Sequence, residues 1–218
     1  MKFFLNILTL PLLLICLVLA AIEFYPVLLW GIKHYTLYKW FGAGFAAYFL
    51  LRFVPFFKKN EGFMQTFSHE LTHTVVGLMF GRIIHSFKAT SGDGGEMWHS
   101  GGRFGDTFIS LAPYCLPIFT YAFLFLRIIG AWKLLLWFDI FIGLTLAFHI
   151  VCFATQTRNY QTDISSQGYI KSYLFIVLFW LFNATVILLS VRKGIVNTVI
   201  YLFPQYWNDI ANFFKWIF

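Results

Sequence analysis

Apolar residues dominate six stretches of the chain, residues 3–30, 38–57, 63–80, 107–129, 134–154 and 169–191. Each meets or approaches the roughly 20 residues that a helix needs to cross a bilayer, so the pattern predicts about six transmembrane helices. Between the third and fourth stretches the periodicity changes. Residues 83–90 alternate loosely, Ser91-Gly92-Asp93-Gly94-Gly95 supply turn residues, and Glu96-Met97-Trp98-His99 resume the alternation, which predicts a short β-hairpin. Between the fifth and sixth stretches, residues 155–168 are polar, and their Gln, Asn, Asp and Ser side chains must meet water, protein or metal. Beyond Gly194 an apolar face continues through Val199, Leu202 and Phe203. Pro204 is expected to break it, and Trp207, Phe213, Phe214 and Trp216 are interleaved with Asn and Lys, as in an interfacial segment. The expected organisation is an all-α polytopic membrane domain over residues 1–193, followed by an interfacial amphipathic segment over 194–218.

Composition agrees with lipid as the main solvent. Hydrophobic residues make up 60% of the 218 and charged residues 11%, against about 25% charged in a globular domain. The net charge of +7 is spread between the apolar blocks, at Lys58-Lys59, Arg192-Lys193 and single positions. Such placement anchors headgroups and argues against a nucleic-acid partner. Trp30, Tyr35, Tyr38, Trp40 and Trp132 stand at block ends, where interfacial aromatic belts form. The N-terminal run has the look of a signal peptide as far as Ala20-Ala21, but its apolar character continues to Trp30, so it is read as a retained helix. Cys16, Cys115 and Cys152 lie far apart inside apolar blocks and indicate neither a disulfide framework nor a thiolate zinc site.

Chemistry enters at His69-Glu70-Leu71-Thr72-His73, an H-E-x-x-H sequence inside the third apolar stretch. On a helix, positions i and i+4 share a face, so both imidazoles can grip one metal ion. Glu70 lies on the turn between them and can act as general base on a metal-bound water, whose pKa zinc lowers to about 7. A charged group at bilayer depth costs about 2.5 kcal/mol or more and marks function by default. Catalytic zinc takes three protein ligands and keeps an open position. Asp163, the only acid of the polar stretch, is the first candidate for the third ligand, with helix N-capping as its competing role. His149, alone on an apolar helix face, is the second. His85, Glu96 and His99 flank the expected hairpin and read as solvated residues. Asp139 and Asn183 inside apolar stretches read as interhelical contacts or as partners of a ligand.

These residues together resemble the site-2 protease family of intramembrane zinc metalloproteases. The likeness rests on Phe67-Ser68-His69-Glu70-Leu71-Thr72-His73 in a membrane helix, a Gly-rich hairpin-like segment after it, and Asp163 ahead of a later helix, within residues 63–176. It implies Zn2+ held by His69, His73 and Asp163, Glu70 as the catalytic base, and hydrolysis of a peptide bond in or near a membrane segment of a partner protein. The sequence departs from the family at Ile164, where a Gly usually follows the Asp, and Ala112-Pro113 matches the family's Ala-Gly-Pro helix only loosely. A competing reading is a non-proteolytic membrane assembly or secretion component that keeps the fold. The expected setting is a multi-pass protein of a bacterial-type cytoplasmic (inner) membrane, with membrane-protein substrates and possible membrane partner subunits.

Overall fold

The computed structural model describes residues 2–90, 95–158 and 161–217. The order is α1 (Lys2–Lys33), α2 (Lys39–Leu51), α3 (Pro55–Met79), β1 (Ile83–Ala89), β2 (Gly95–Ser100), α4 (Asp106–Cys115), α5 (Ile118–Ile129), α6 (Leu135–Gln156), α7 (Thr162–Gln167), α8 (Tyr169–Lys193) and α9 (Ile195–Ile217). The all-α membrane architecture with one small hairpin is as the pattern predicts. Among the described residues the candidate spans number three to five, against the about six expected. Three helices are long and apolar enough to span on their own: α1 over Thr9–Lys33, α6 and α8. Two bent pairs bring the number to at most five.

Proline causes both bends. Steric conflict with a following proline pushes a residue out of the helical region, and Val54 before Pro55 is extended. The apolar stretch over 38–57 therefore breaks after α2, and α3 leaves at 103° to it with Pro55 in its first turn. Leu116 before Pro117 is likewise extended, and the stretch over 107–129 divides into α4 and α5 at 84°. A broken helix at bilayer depth needs partners for its last carbonyls. Here α8 supplies them: Trp180 Nε1 donates to the Tyr114 carbonyl at 2.9 Å and Asn183 Nδ2 to that of Cys115 at 3.0 Å. Asn183 thus serves the helix break, and Asp139 pairs with Arg127 at 3.2 Å.

Close packing of backbones sets the scaffold. Helix α2 lies against α6; a β carbon added to Gly44 would sit 1.9 Å from the Ile140 carbonyl oxygen, and one on Gly143 1.9 Å from that of Phe41. Small residues at helix contacts are how membrane helices approach without a hydrophobic driving force. Helix α1 packs along α8, with the Arg192 guanidinium 3.8 Å from the Trp30 ring. Helix α9 turns back onto α8, burying Leu202 beside Val186 and Leu189. Contrary to expectation, it runs through Pro204 without a break, a tolerance that membrane-associated helices show when neighbours cover the freed groups.

The hairpin is antiparallel from Ile83↔Ser100 to Ala89↔Gly95, with a bulge between Ile84 and Ser86. Of its expected turn over 91–95, Gly95 is the first residue of β2, and 91–94 lie outside the described residues. Phe87 and Met97 face each other in register; Phe87 packs on Phe67 of α3 and Met97 against Val76, Ile109 and Ala112. The buried Arg82 guanidinium pairs with Asp106 and donates to the Phe104 carbonyl at 3.1 Å, tying the hairpin's root to α4.

Replacing Gly143 by Ala is expected to cost about 1–3 kcal/mol, read as a fall in the unfolding midpoint in detergent. Gly42→Ala, whose added β carbon meets nothing within 4 Å, should leave that midpoint unchanged or raise it.

Candidate metal centre

Helix α3 turns a polar face inward: Ser68, Glu70, Thr72 and His73 are buried. Two of its hydroxyls are satisfied within the helix, Thr72 donating to the Ser68 carbonyl at 2.7 Å and Thr74 to that of Glu70 at 2.9 Å. The two histidines, one turn apart, bring their Nε2 atoms to 3.1 Å. His73 Nδ1 donates to the Ile109 carbonyl of α4 at 2.7 Å. That bond fixes the tautomer and leaves Nε2 as the free lone pair, as ligand histidines require.

Asp163 arrives on α7, a helix of six residues. Ile164 anchors it, fully buried among Leu111, Tyr114, Cys115, Phe175 and Ile176. Ser172 Oγ donates to the Ile164 carbonyl at 3.0 Å, and Thr107 Oγ1 to Gln167 Oε1 at 2.8 Å. The residue that departs from the family pattern is thus the hydrophobic pin that aims its neighbour. Asp163 Oδ2 lies 3.3 Å from each histidine Nε2 and accepts from the Tyr114 hydroxyl at 3.2 Å. Burial alone would raise the Asp163 carboxyl; the two imidazoles outweigh it and hold the group below the usual carboxylate range. N-capping is not its role: the residues at the N-caps of α7 and α8 are Gln161 and Gly168.

The three donor atoms form a triangle with edges of 3.1, 3.3 and 3.3 Å. Ligands at the 2.0–2.1 Å typical of zinc, placed tetrahedrally, stand about 3.3 Å apart. Two imidazoles and a carboxylate are also a donor set that zinc favours. His69, His73 and Asp163 form the one group of three such side chains placed to hold a metal ion among the described residues. His149 does not join it; buried on α6, it lies against the Trp180 ring at 5.2 Å.

A cavity of about 280 Å³ opens on the triangle, walled by His69, Glu70, His73 and Asp163 on one side and by Gly95, Glu96, Met97 and His99 of β2 on another. Gly95 allows the close approach: a β carbon there would stand 2.5 Å from Glu70 Cγ and 2.6 Å from its Oε1. Sequence reasoning took Glu96 and His99 for solvated residues. Both line the cavity; Glu96 stays exposed, as expected, whereas the His99 imidazole is partly buried and is held below its ordinary pKa by that burial and by Arg82. Alternation from Met97 to His99 was the available signal. His85 stays outside, bonded to Ser100 Oγ at 2.6 Å and packed on Trp98. No sequence signal marked Tyr114, because its partner lies 49 positions away.

The family described as Peptidase M50B-like matches residues 41–207. The chain belongs to this family. The match takes in every residue of the triangle and reaches well beyond the 63–176 segment on which the sequence resemblance rested. M50B-like membership supports the site-2 protease relation and, at family level, a membrane-embedded metallopeptidase whose metal is zinc. No curated protein and no solved structure matches the chain.

In an M50B-like site built this way, Tyr114→Phe keeps the packed ring and removes the donor to Asp163. Zinc affinity, measured by chelator competition, should fall about tenfold or more, the usual effect of losing a ligand's hydrogen-bond partner.

Proposed function

We propose that this protein is an intramembrane zinc metalloprotease that hydrolyses a peptide bond in or near a membrane segment of a partner protein. The observation that carries the reading is the convergence of His69, His73 and Asp163 on one point, with Glu70 in the wall of the same cavity. His69, His73 and Asp163 would hold the ion. Zinc bound there supplies Lewis acidity, polarising a carbonyl and acidifying water.

The chain's own residues do the rest. Glu70 takes the proton of the attacking water and passes it to the departing amine. Tyr114 and the Ile109 carbonyl keep the Asp163 and His73 side chains in place. Peptide bonds in a helix are shielded, so the substrate must reach the cavity unwound. The strand that walls the cavity is β2. Among the described residues β2 pairs with β1 alone, so an extended segment can add to its other edge by main-chain hydrogen bonds. Water reaches the cavity along the polar wall of Ser110, Gln161 and Thr162.

Glu70→Gln preserves shape and removes the base. Proteolysis of a membrane-protein substrate should fall about 10²–10⁴-fold while zinc content stays at the wild-type value. Full rescue of a deletion phenotype by Glu70→Gln would instead favour the non-proteolytic assembly role.

A further inference from the structure

Helix α4 carries a proline in its interior, Pro113, one turn beyond Ile109. In a regular helix the N–H of residue 113 would donate to the carbonyl of residue 109; proline has no N–H, and its ring pushes that carbonyl off the helix axis. The Ile109 carbonyl is the group that accepts from His73 Nδ1 at 2.7 Å, between two buried residues. Pro113 is itself buried beside Ala112 and Tyr114, and Tyr114 donates to Asp163. One turn of α4 therefore serves two of the three donors.

We infer that Pro113 is a positioning residue of the metal centre: by withholding the helical N–H it gives the Ile109 carbonyl to His73 and so orients that imidazole. The inference rests on the reading of His69, His73 and Asp163 as a zinc site. A packing role alone would ask for a buried apolar side chain at 113, which many residues provide. Only proline removes the competing donor. The same logic explains an interior proline in a helix that already ends at Cys115, ahead of Pro117: the two prolines do different work, Pro117 turning the chain and Pro113 releasing a carbonyl.

The test compares wild type, Pro113→Ala and His69→Ala, each purified in detergent, by chelator competition for zinc and by thermal unfolding of the metal-free protein. Alanine restores the N–H, which competes with His73 for the Ile109 carbonyl. Zinc should bind Pro113→Ala about tenfold more weakly than wild type, while the metal-free unfolding midpoint is unchanged or higher, because alanine suits a helix interior better than proline. Equal zinc affinity in the two proteins would overturn the inference. So would weaker binding matched by a comparable loss of metal-free stability, which is the mark of a packing defect. Wild type binding zinc no better than His69→Ala would overturn the metal-site reading itself, a result distinct from either.

Discussion

The meeting of one carboxylate with two imidazoles, at 3.3 Å from each, is the contact that the rest of the structure is arranged to permit. The histidines come from a helix in an apolar stretch and the aspartate from a polar segment ninety positions on, and such groups are costly in hydrocarbon unless they are partnered. Every element near them contributes a partner or a support. Helix α4 gives the Ile109 carbonyl and the Tyr114 hydroxyl, α7 is pinned by Ile164 and Ser172, and the hairpin closes the cavity from the other side.

Proline organises this part of the fold. Pro55 frees α3 to leave α2 at a steep angle, Pro117 divides α4 from α5, and Pro113 releases a carbonyl in between. Each break strands backbone groups where there is no water to meet them. Side chains take up the ones that matter here: His73 at Ile109, Trp180 at Tyr114 and Asn183 at Cys115. Irregular backbone and the candidate metal centre meet on α4, whose Ile109 carbonyl takes the His73 imidazole and whose Tyr114, bonded to Trp180 through its carbonyl, donates to Asp163.

Much of this was legible in the sequence. Spacing within His69-Glu70-Leu71-Thr72-His73 places two donors on one helical face, alternation around a glycine-rich turn gives the hairpin, and α1, α6 and α8 follow the apolar runs closely. The count of crossings differs at Val54, where the stretches over 38–57 and 63–80 become one bent pair, because hydropathy averages over the proline that turns the chain. Pro204 misled in the opposite sense, since α8 packs against α9 and the helix persists. Asp163 was visible as the one acid in a polar run, yet only the fold separates it from His149. Tyr114, Ile109 and the inward turn of His99 depend on contacts between distant segments, and no local pattern encodes them.

Zinc K-edge X-ray absorption on the purified protein tests the central claim, a single four-coordinate ion on His69, His73 and Asp163, most directly. The expected result is one zinc per chain, with two imidazoles and oxygen ligands at about 2.0–2.1 Å and no sulfur. A shell of sulfur at about 2.3 Å, six-coordinate geometry, or zinc well below one per chain would contradict it.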